Sequence, residues 1–319
     1  MTHGFPEKTQ GNWSRRDFLR TTFVAAALET CPQSFGAEPQ MQFPAKPRDR
    51  LAVTSWPFRA LIDAPGNHDR ERTKAGMDLK DFAAMVAARF DVHNINPLAA
   101  HFHSSDPAYV EEFRSAVEKA GSHLVDLGLA GRSFYHPDQV RREEAVTYGK
   151  KWIDIAVVLG CPSVRQHING ARGVKADVNL TAETLGEMAA YGAKKNIVIN
   201  LENDNPVSED PFFLVAVIEK AGSPYLRGLP DFANSMSPDG DAERNYKGVT
   251  AMFRHVFNMC HVKSAYAGED GKVYTVDLGR LFGIARSAGY RGYFSMEADM
   301  PGDPFENTQK LVQETLKYL

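Results

Sequence analysis

Glu202 closes the apolar run "VINLE", Asp231 follows "RGLP", His261 sits inside "MCHVK" and Glu297 closes "YFSME". Each of these side chains can offer a lone pair to a metal, and each stands at the end of a short hydrophobic stretch. Their spacing is regular, roughly one strand and one helix from each to the next. Taken singly they mean little. A carboxylate after a strand is usually a solvated loop residue or a helix N-cap, and a lone His is usually a satisfied core residue. Four in register are different, because three carboxylates converging on one cavity repel unless a cation or protons stand between them. Two Glu, one Asp and a neutral imidazole form an oxygen-rich mixed donor set that suits Mn²⁺, Mg²⁺, Co²⁺ or Zn²⁺. No Cys cluster accompanies them, which argues against a purely structural zinc.

Other polar groups share these strand ends. Arg165 and His167 in "VRQH" project to the same side by strand alternation, and could hold the oxygens of a substrate. The competing role for Arg165 is an ion pair under the rim. Lys263 lies two residues beyond His261, placed either to meet a developing oxyanion or to pair with Glu297. Trp56 and Phe58, with Arg59 beside them, follow the first strand-like run and offer an apolar wall or ordinary packing. His101 and His103 in "HFH" follow the second run, in a loop that reaches the mouth or lies exposed.

Such groups need elements to carry them. From Arg50 onward short β-branched runs alternate with amphipathic stretches: "LAVTS", "VHNIN", "HLVDLGL", "SVRQHI", "NIVINLE", "YLRGLPD", "VFNMCHVK" and "GYFSME". Leu79, Phe82, Ala83, Val86 and Phe90 recur at helical spacing and mark one buried face. Further helices are expected at about Asp106–Ala120, Gln139–Leu159, Ala182–Lys195, Pro211–Ala221, Ala242–Arg254, Asp277–Ala288 and Pro304–Leu319. Strands alternating with helices imply parallel pairing through crossovers, and eight such units in roughly 250 residues suit a single-domain (β/α)8 TIM barrel. No G-x-G-x-x-G follows the first strand, which disfavours a doubly wound dinucleotide fold. In a barrel the C-terminal strand ends share one mouth, so Glu202, Asp231, His261 and Glu297 face a common cavity.

The chain has 319 residues, 43% hydrophobic and 24% charged, with a formal charge of −3, an ordinary balance that excludes a protein built to hold nucleic acid. No apolar run is long enough for stable membrane insertion. At the N-terminus "SRRDFLR", Ser14–Arg20, runs into "TTFVAAAL" and resembles a twin-arginine export signal, with "FGA" at Phe35–Ala37 as the cleavage site. The expected organisation is a signal segment over 1–37, a Pro-rich linker over 38–49 and the barrel over 50–319, delivered to the periplasm. Cys31 in "LETC" lacks the small neighbours of a lipid anchor. Cys161 and Cys260 are expected as buried thiols too far apart to bridge.

The motifs "LEN" at Leu201, "PDFAN" at Pro230, "HVK" at His261 and "MEAD" at Met296 resemble the xylose isomerase-like TIM barrels, in particular their sugar isomerase and epimerase branch. The resemblance covers Leu51 to Leu319. It implies one divalent ion, Mn²⁺ before Mg²⁺, Co²⁺ or Zn²⁺, held by Glu202, Asp231, His261 and Glu297. It also implies that Glu202 and Glu297 move protons through an enediolate formed next to a carbonyl. Epimerase-like members often carry His where this chain has Asn234, so details of sugar binding are expected to differ there. The implied partner is a small carbohydrate, a free or keto-sugar rather than a phosphorylated one if the chain is exported. A lyase or dehydratase acting on 3-keto-glycosides is the alternative chemistry, and a non-catalytic periplasmic sugar-binding barrel the alternative class. An abasic-site nuclease needs more His than this rim offers. Homo-oligomer or monomer is left open.

Overall fold

The structure, a computed structural model, describes residues 1 and 37–319 except 237–239 and 269–270. The expected export signal and Cys31 therefore lie outside the described residues. Along the remainder the strands are β1 (Leu51–Thr54), β2 (Asn94–Asn96), β3 (His123–Leu124), β4 (Leu127–Arg132), β5 (Ser163–Ile168), β6 (Val198–Glu202), β7 (Leu226–Leu229), β8 (Met259–Val262), β9 (Ala265–Ala267), β10 (Val273–Thr275) and β11 (Tyr293–Met296). Each of the eight expected runs contains a strand. The third is split into β3 and β4 at Val125 and Asp126.

Pairing is parallel in the order β3-β2-β1-β11-β8 and, in a second sheet, β4-β5-β6-β7. The two sheets join where the chain passes from β3 to β4 and through the bridges Leu98–Gly128, Gly228–Val256 and Asp231–His261. The ring is thereby closed into a barrel. β9 and β10 form an antiparallel hairpin in the loop after β8, an element the sequence reading passed over.

Helices α1 (Phe82–Phe90), α2 (Pro107–Lys119), α3 (Gln139–Val158), α4 (Val178–Ala193), α5 (Pro211–Ala221), α6 (Ala242–Phe253), α7 (Leu278–Ser287) and α8 (Pro304–Thr315) cover the outside. Their starts are set by aspartates. Asp138, Asp177, Asp210, Asp241, Asp277 and Asp303 each precede a helix and accept a hydrogen bond from a backbone N–H of its first turn. That is why α4 begins four residues before the expected Ala182: Asp177 caps Leu180 N at 3.0 Å. At the far end of α5, Gly222 takes φ 60°, the left-handed turn that ends a helix cheaply only for glycine. Phe82, Ala83, Val86 and Phe90 of α1 are buried as their spacing predicted.

The main core lies between the strands and the helices. A smaller apolar group, Ala52, Val125, Leu229, Met259 and Tyr293, has Met41 and Phe43 packed against it. The stretch read as a linker thus contributes two side chains to the body of the domain. Cys161 and Cys260 are free and buried.

Candidate active site

Alternation along the strands sends Arg165 and His167 of β5, Glu202 of β6 and His261 of β8 inward, with Asp231, Lys263 and Glu297 just past their strand ends. Oxygen or nitrogen atoms of Glu202, Asp231, His261 and Glu297 all lie within 4.8 Å of one another. All four side chains are buried. His261 Nδ1 lies 2.5 Å from Glu202 Oε1 and 2.8 Å from Glu297 Oε2. Asn203, the residue after Glu202, locks Asp231 in place: its carboxamide donates to the Asp231 carbonyl at 3.2 Å and accepts the Asp231 N–H at 2.8 Å. One Asp231 oxygen accepts the backbone N–H groups of Ala233 and Asn234, each at 2.8 Å. The other, Oδ2, is buried without a hydrogen-bond partner, its nearest cation being Lys263 Nζ at 3.6 Å.

The electrostatics follow from this crowding. Burial alone would raise Glu202, but Arg165 and His261 overrule it and hold the carboxyl down to about 2. Glu297 is likewise pulled below the usual range, against its own burial, by Lys263 and His261. Asp231 is the exception. Burial pushes it up to about 7, because Lys263 offsets only part of the cost and Glu297 and Glu202 add to it. Burial favours a neutral His261, yet Glu202 and Glu297 lift it to about 10. The raised His261 and the three crowded carboxylates mark a place where a cation would relieve their mutual repulsion. The donor set and the orphaned Asp231 Oδ2 fit a divalent metal ion.

A cavity of about 500 Å³ opens above these groups, lined among others by Trp56, Arg165, His167, Asn234, Lys263 and Glu297. Of the predicted substrate contacts, these five other than Glu297 all reach it. Arg165 bonds Glu202 and, at 2.8 Å, His167 Nε2. It fits there because β4 has glycine opposite: a Cβ at Gly128 would overlap the guanidinium. Lys263 Nζ is 2.9 Å from Glu297 Oε1 and donates to Asn234 Oδ1 at 2.8 Å. Asn234 thus fixes the ammonium, while its own Nδ2 donates to the Asn203 carbonyl at 3.1 Å.

His103 does not line the cavity. It is exposed beside the Tyr109 ring, since the loop after β2 turns outward through the short helix Ala99–His101. His101 is buried and bonded to Ser55 Oγ at 2.7 Å, and burial drives its imidazole down to about 3. Phe58 packs on Phe82 and Phe305 rather than at the mouth.

Sequence reading missed two acids. Asp299 accepts from Trp56 Nε1 at 3.0 Å and pairs with Arg59 at 3.0 Å, holding the indole at the mouth. It stands two residues past Glu297, so alternation could have found it. Glu209 looks like part of a helix start, yet it is buried and accepts from His167 Nδ1, Ile168 N and Asn205 Nδ2, each at 2.7 Å. No periodic signal marks it. His167, Asp204 and Glu209 also come within 4.8 Å of one another, but Glu209 already accepts three hydrogen bonds from protein donors.

The fold and this rim define a TIM barrel with a candidate metal site at its C-terminal mouth. Residues 80–319 match the model of the xylose isomerase-like TIM barrel family, and the chain belongs to that family. No curated protein gives a significant sequence match. Among solved structures, the chain is similar to a D-allulose 3-epimerase from Methylomonas sp., with TM-score 0.65 and 17% identity over 88% of this chain and 100% of the other. A xylose isomerase-like TIM barrel protein from Mycobacterium smegmatis in complex with magnesium gives TM-score 0.63 and 17% identity over 85% and 97%. A 3-keto-D-glucoside 4-epimerase from E. coli gives 0.60 and 11% over 85% and 99%. At these identities the likeness shows the fold.

Proposed function

We propose that this chain is a divalent-metal-dependent sugar isomerase or epimerase that moves a proton on the carbon next to a carbonyl. The observation that carries the reading is the convergence of Glu202, Asp231, His261 and Glu297 within 4.8 Å, with Glu202 and Glu297 lining an open cavity. A divalent ion bound there supplies Lewis-acid polarisation of substrate oxygens, Mn²⁺ being the first candidate. The remaining work falls to side chains. Glu202 and Glu297 are both ionised at neutral pH, the state a proton acceptor needs. They approach the cavity from β6 and β11, with β7 and β8 between them in the ring, so one can take the proton and the other return it. Return to the same carbon from the opposite face gives an epimer, and return to the neighbouring carbon gives an isomer. The Lys263 ammonium stands beside Glu297, placed to meet negative charge growing on a substrate oxygen.

The substrate that suits this cavity is uncharged. Among the described lining residues both permanent cations, Arg165 and Lys263, are already bound to carboxylates, and Asp204, Glu209 and Asp299 add further negative charge. A phosphorylated sugar would find no free cation there. The similarity to epimerases of D-allulose and of a 3-keto-D-glucoside supports a ketose or keto-glycoside. The twin-arginine-like leader supports a periplasmic location, to be checked by fractionating cells that carry the full chain.

The test is NMR in D₂O with Mn²⁺-loaded, then Mg²⁺-exchanged, protein and a panel of ketoses and 3-keto-glycosides. Deuterium entering at the α carbon, abolished in Glu297→Gln, supports the reading. Release of the aglycone would make the chain a lyase. Ligand binding with no exchange at all would make it a sugar-binding barrel.

A further inference from the structure

Below the rim, the barrel interior holds a column of amides and one acid beside the small apolar group that includes Ala52, Leu229 and Met259. His261 Nε2 meets Asn96 Oδ1 at 2.9 Å. The Asn96 Nδ2 group lies 3.2 Å from both the backbone carbonyl and the Oδ2 of Asp126. Asp126 Oδ1 in turn accepts from Ser163 Oγ at 2.5 Å and Asn200 Nδ2 at 3.0 Å. Asn258 donates to Ser163 Oγ at 2.8 Å, and all of these side chains are fully buried.

The direction of each bond is forced. A backbone carbonyl can only accept, so the Asn96 amide must turn its NH₂ toward Asp126 and its oxygen toward His261. That oxygen can only accept, so His261 Nε2 carries a hydrogen. The lone pair available to an ion is then the one on Nδ1, the nitrogen facing Glu202 and Glu297. The break between β3 and β4 falls at this point: the Val125 N–H still bonds the Ile95 carbonyl at 3.1 Å, and the next carbonyl, that of Asp126, accepts from the Asn96 side chain at 3.2 Å.

We infer that Asn96 and the Asp126 segment are positioning residues that dictate which His261 nitrogen the site offers to its cation, so that ion affinity at the rim is set partly from the barrel floor. The inference rests on the metal-site reading above but not on the reaction assigned to it. Groups that orient a ligating imidazole typically change metal affinity by about 10- to 100-fold when removed.

Calorimetric titration of EDTA-treated protein with Mn²⁺ tests it. Asn96→Ala should weaken binding about 10- to 100-fold. Asp126→Asn keeps the backbone carbonyl and should weaken it less than Asn96→Ala does. Far-UV circular dichroism and the melting curve of each variant separate lost affinity from lost fold. If Asn96→Ala does not fold, imidazole ¹⁵N shifts of the Zn²⁺-loaded parent chain decide instead, with a proton expected on Nε2 of His261. Affinity within twofold of the parent in a folded Asn96→Ala, or a proton on Nδ1 with the metal on Nε2, overturns the inference. Failure of the parent to bind any divalent ion would overturn the metal-site reading itself, a distinct result.

Discussion

Asp126 and Asp231 are both fully buried aspartates in one barrel, and burial raises both. Their surroundings differ. Asp126 has Ser163, Asn200 and Asn96 on its two oxygens, all neutral donors from the protein itself. Asp231 has backbone N–H groups on one oxygen and no hydrogen bond on the other, and that bare oxygen faces Glu202, His261 and Glu297. Protein donors meet both oxygens of Asp126 but only one of Asp231's. A buried acid finished by protein donors is scaffold, whereas one left open among like charges marks a place for a cation.

The largest effect should come from the rim carboxylates proposed to move the proton. Glu297→Gln is expected to cut α-proton exchange by about 10²- to 10⁴-fold, followed by deuterium uptake. An Asp126→Asn variant that lost as much would erase the distinction between floor and rim.

The two aspartates should then part in thermal melts. Asp126→Asn is expected to cost about 1–3 kcal/mol with or without Mn²⁺, because it disturbs finished hydrogen bonds among buried groups. Asp231→Asn should lower the melting temperature of the Mn²⁺-loaded chain yet leave the EDTA-treated chain unchanged or higher, since it removes an uncompensated charge. Destabilisation of equal size in both states would place Asp231 with the floor.

Ion binding should also depend on pH in a set direction. His261 is lifted to about 10 and so holds a proton on Nδ1 at neutral pH in the metal-free chain. A cation must displace it, so affinity rises with pH toward 10 and falls as pH drops. Asp231, raised to about 7, adds a second proton to be displaced below that pH. Titration calorimetry in buffers of different ionisation enthalpy should show about one proton released per ion at pH 8 and more at pH 6. No proton release would contradict the protonated rim.

The smallest effect belongs to the mouth. Trp56 is held by Asp299 and stacked against Arg59, 4.1 Å from the guanidinium carbon. Trp56→Ala should raise KM by about tenfold or less with kcat nearly kept, because a wall binds ground and transition states alike.

Much of this was legible in the chain itself. Alternating short apolar runs and amphipathic stretches, eight units of them with no G-x-G-x-x-G after the first strand, point to the barrel over the open doubly wound sheet. Glu202, Asp231, His261 and Glu297 were legible because strand ends in a barrel share one mouth. What stayed hidden was whatever depends on loop geometry. Glu209 lies among turn residues that read as a helix start, and the direction taken by His103 depends on a short helical turn that has no periodicity. The floor was hidden for another reason. Asn96, Asp126, Asn200 and Asn258 each break an apolar run, which in sequence resembles a weak strand and in three dimensions is a bonded column.

The most direct measurement is a Mn²⁺ titration of the EDTA-treated full chain alongside Glu202→Gln. The account predicts a single ion per chain for the parent and a marked loss of affinity in the variant. An unchanged isotherm in Glu202→Gln, or no binding by the parent, would contradict it.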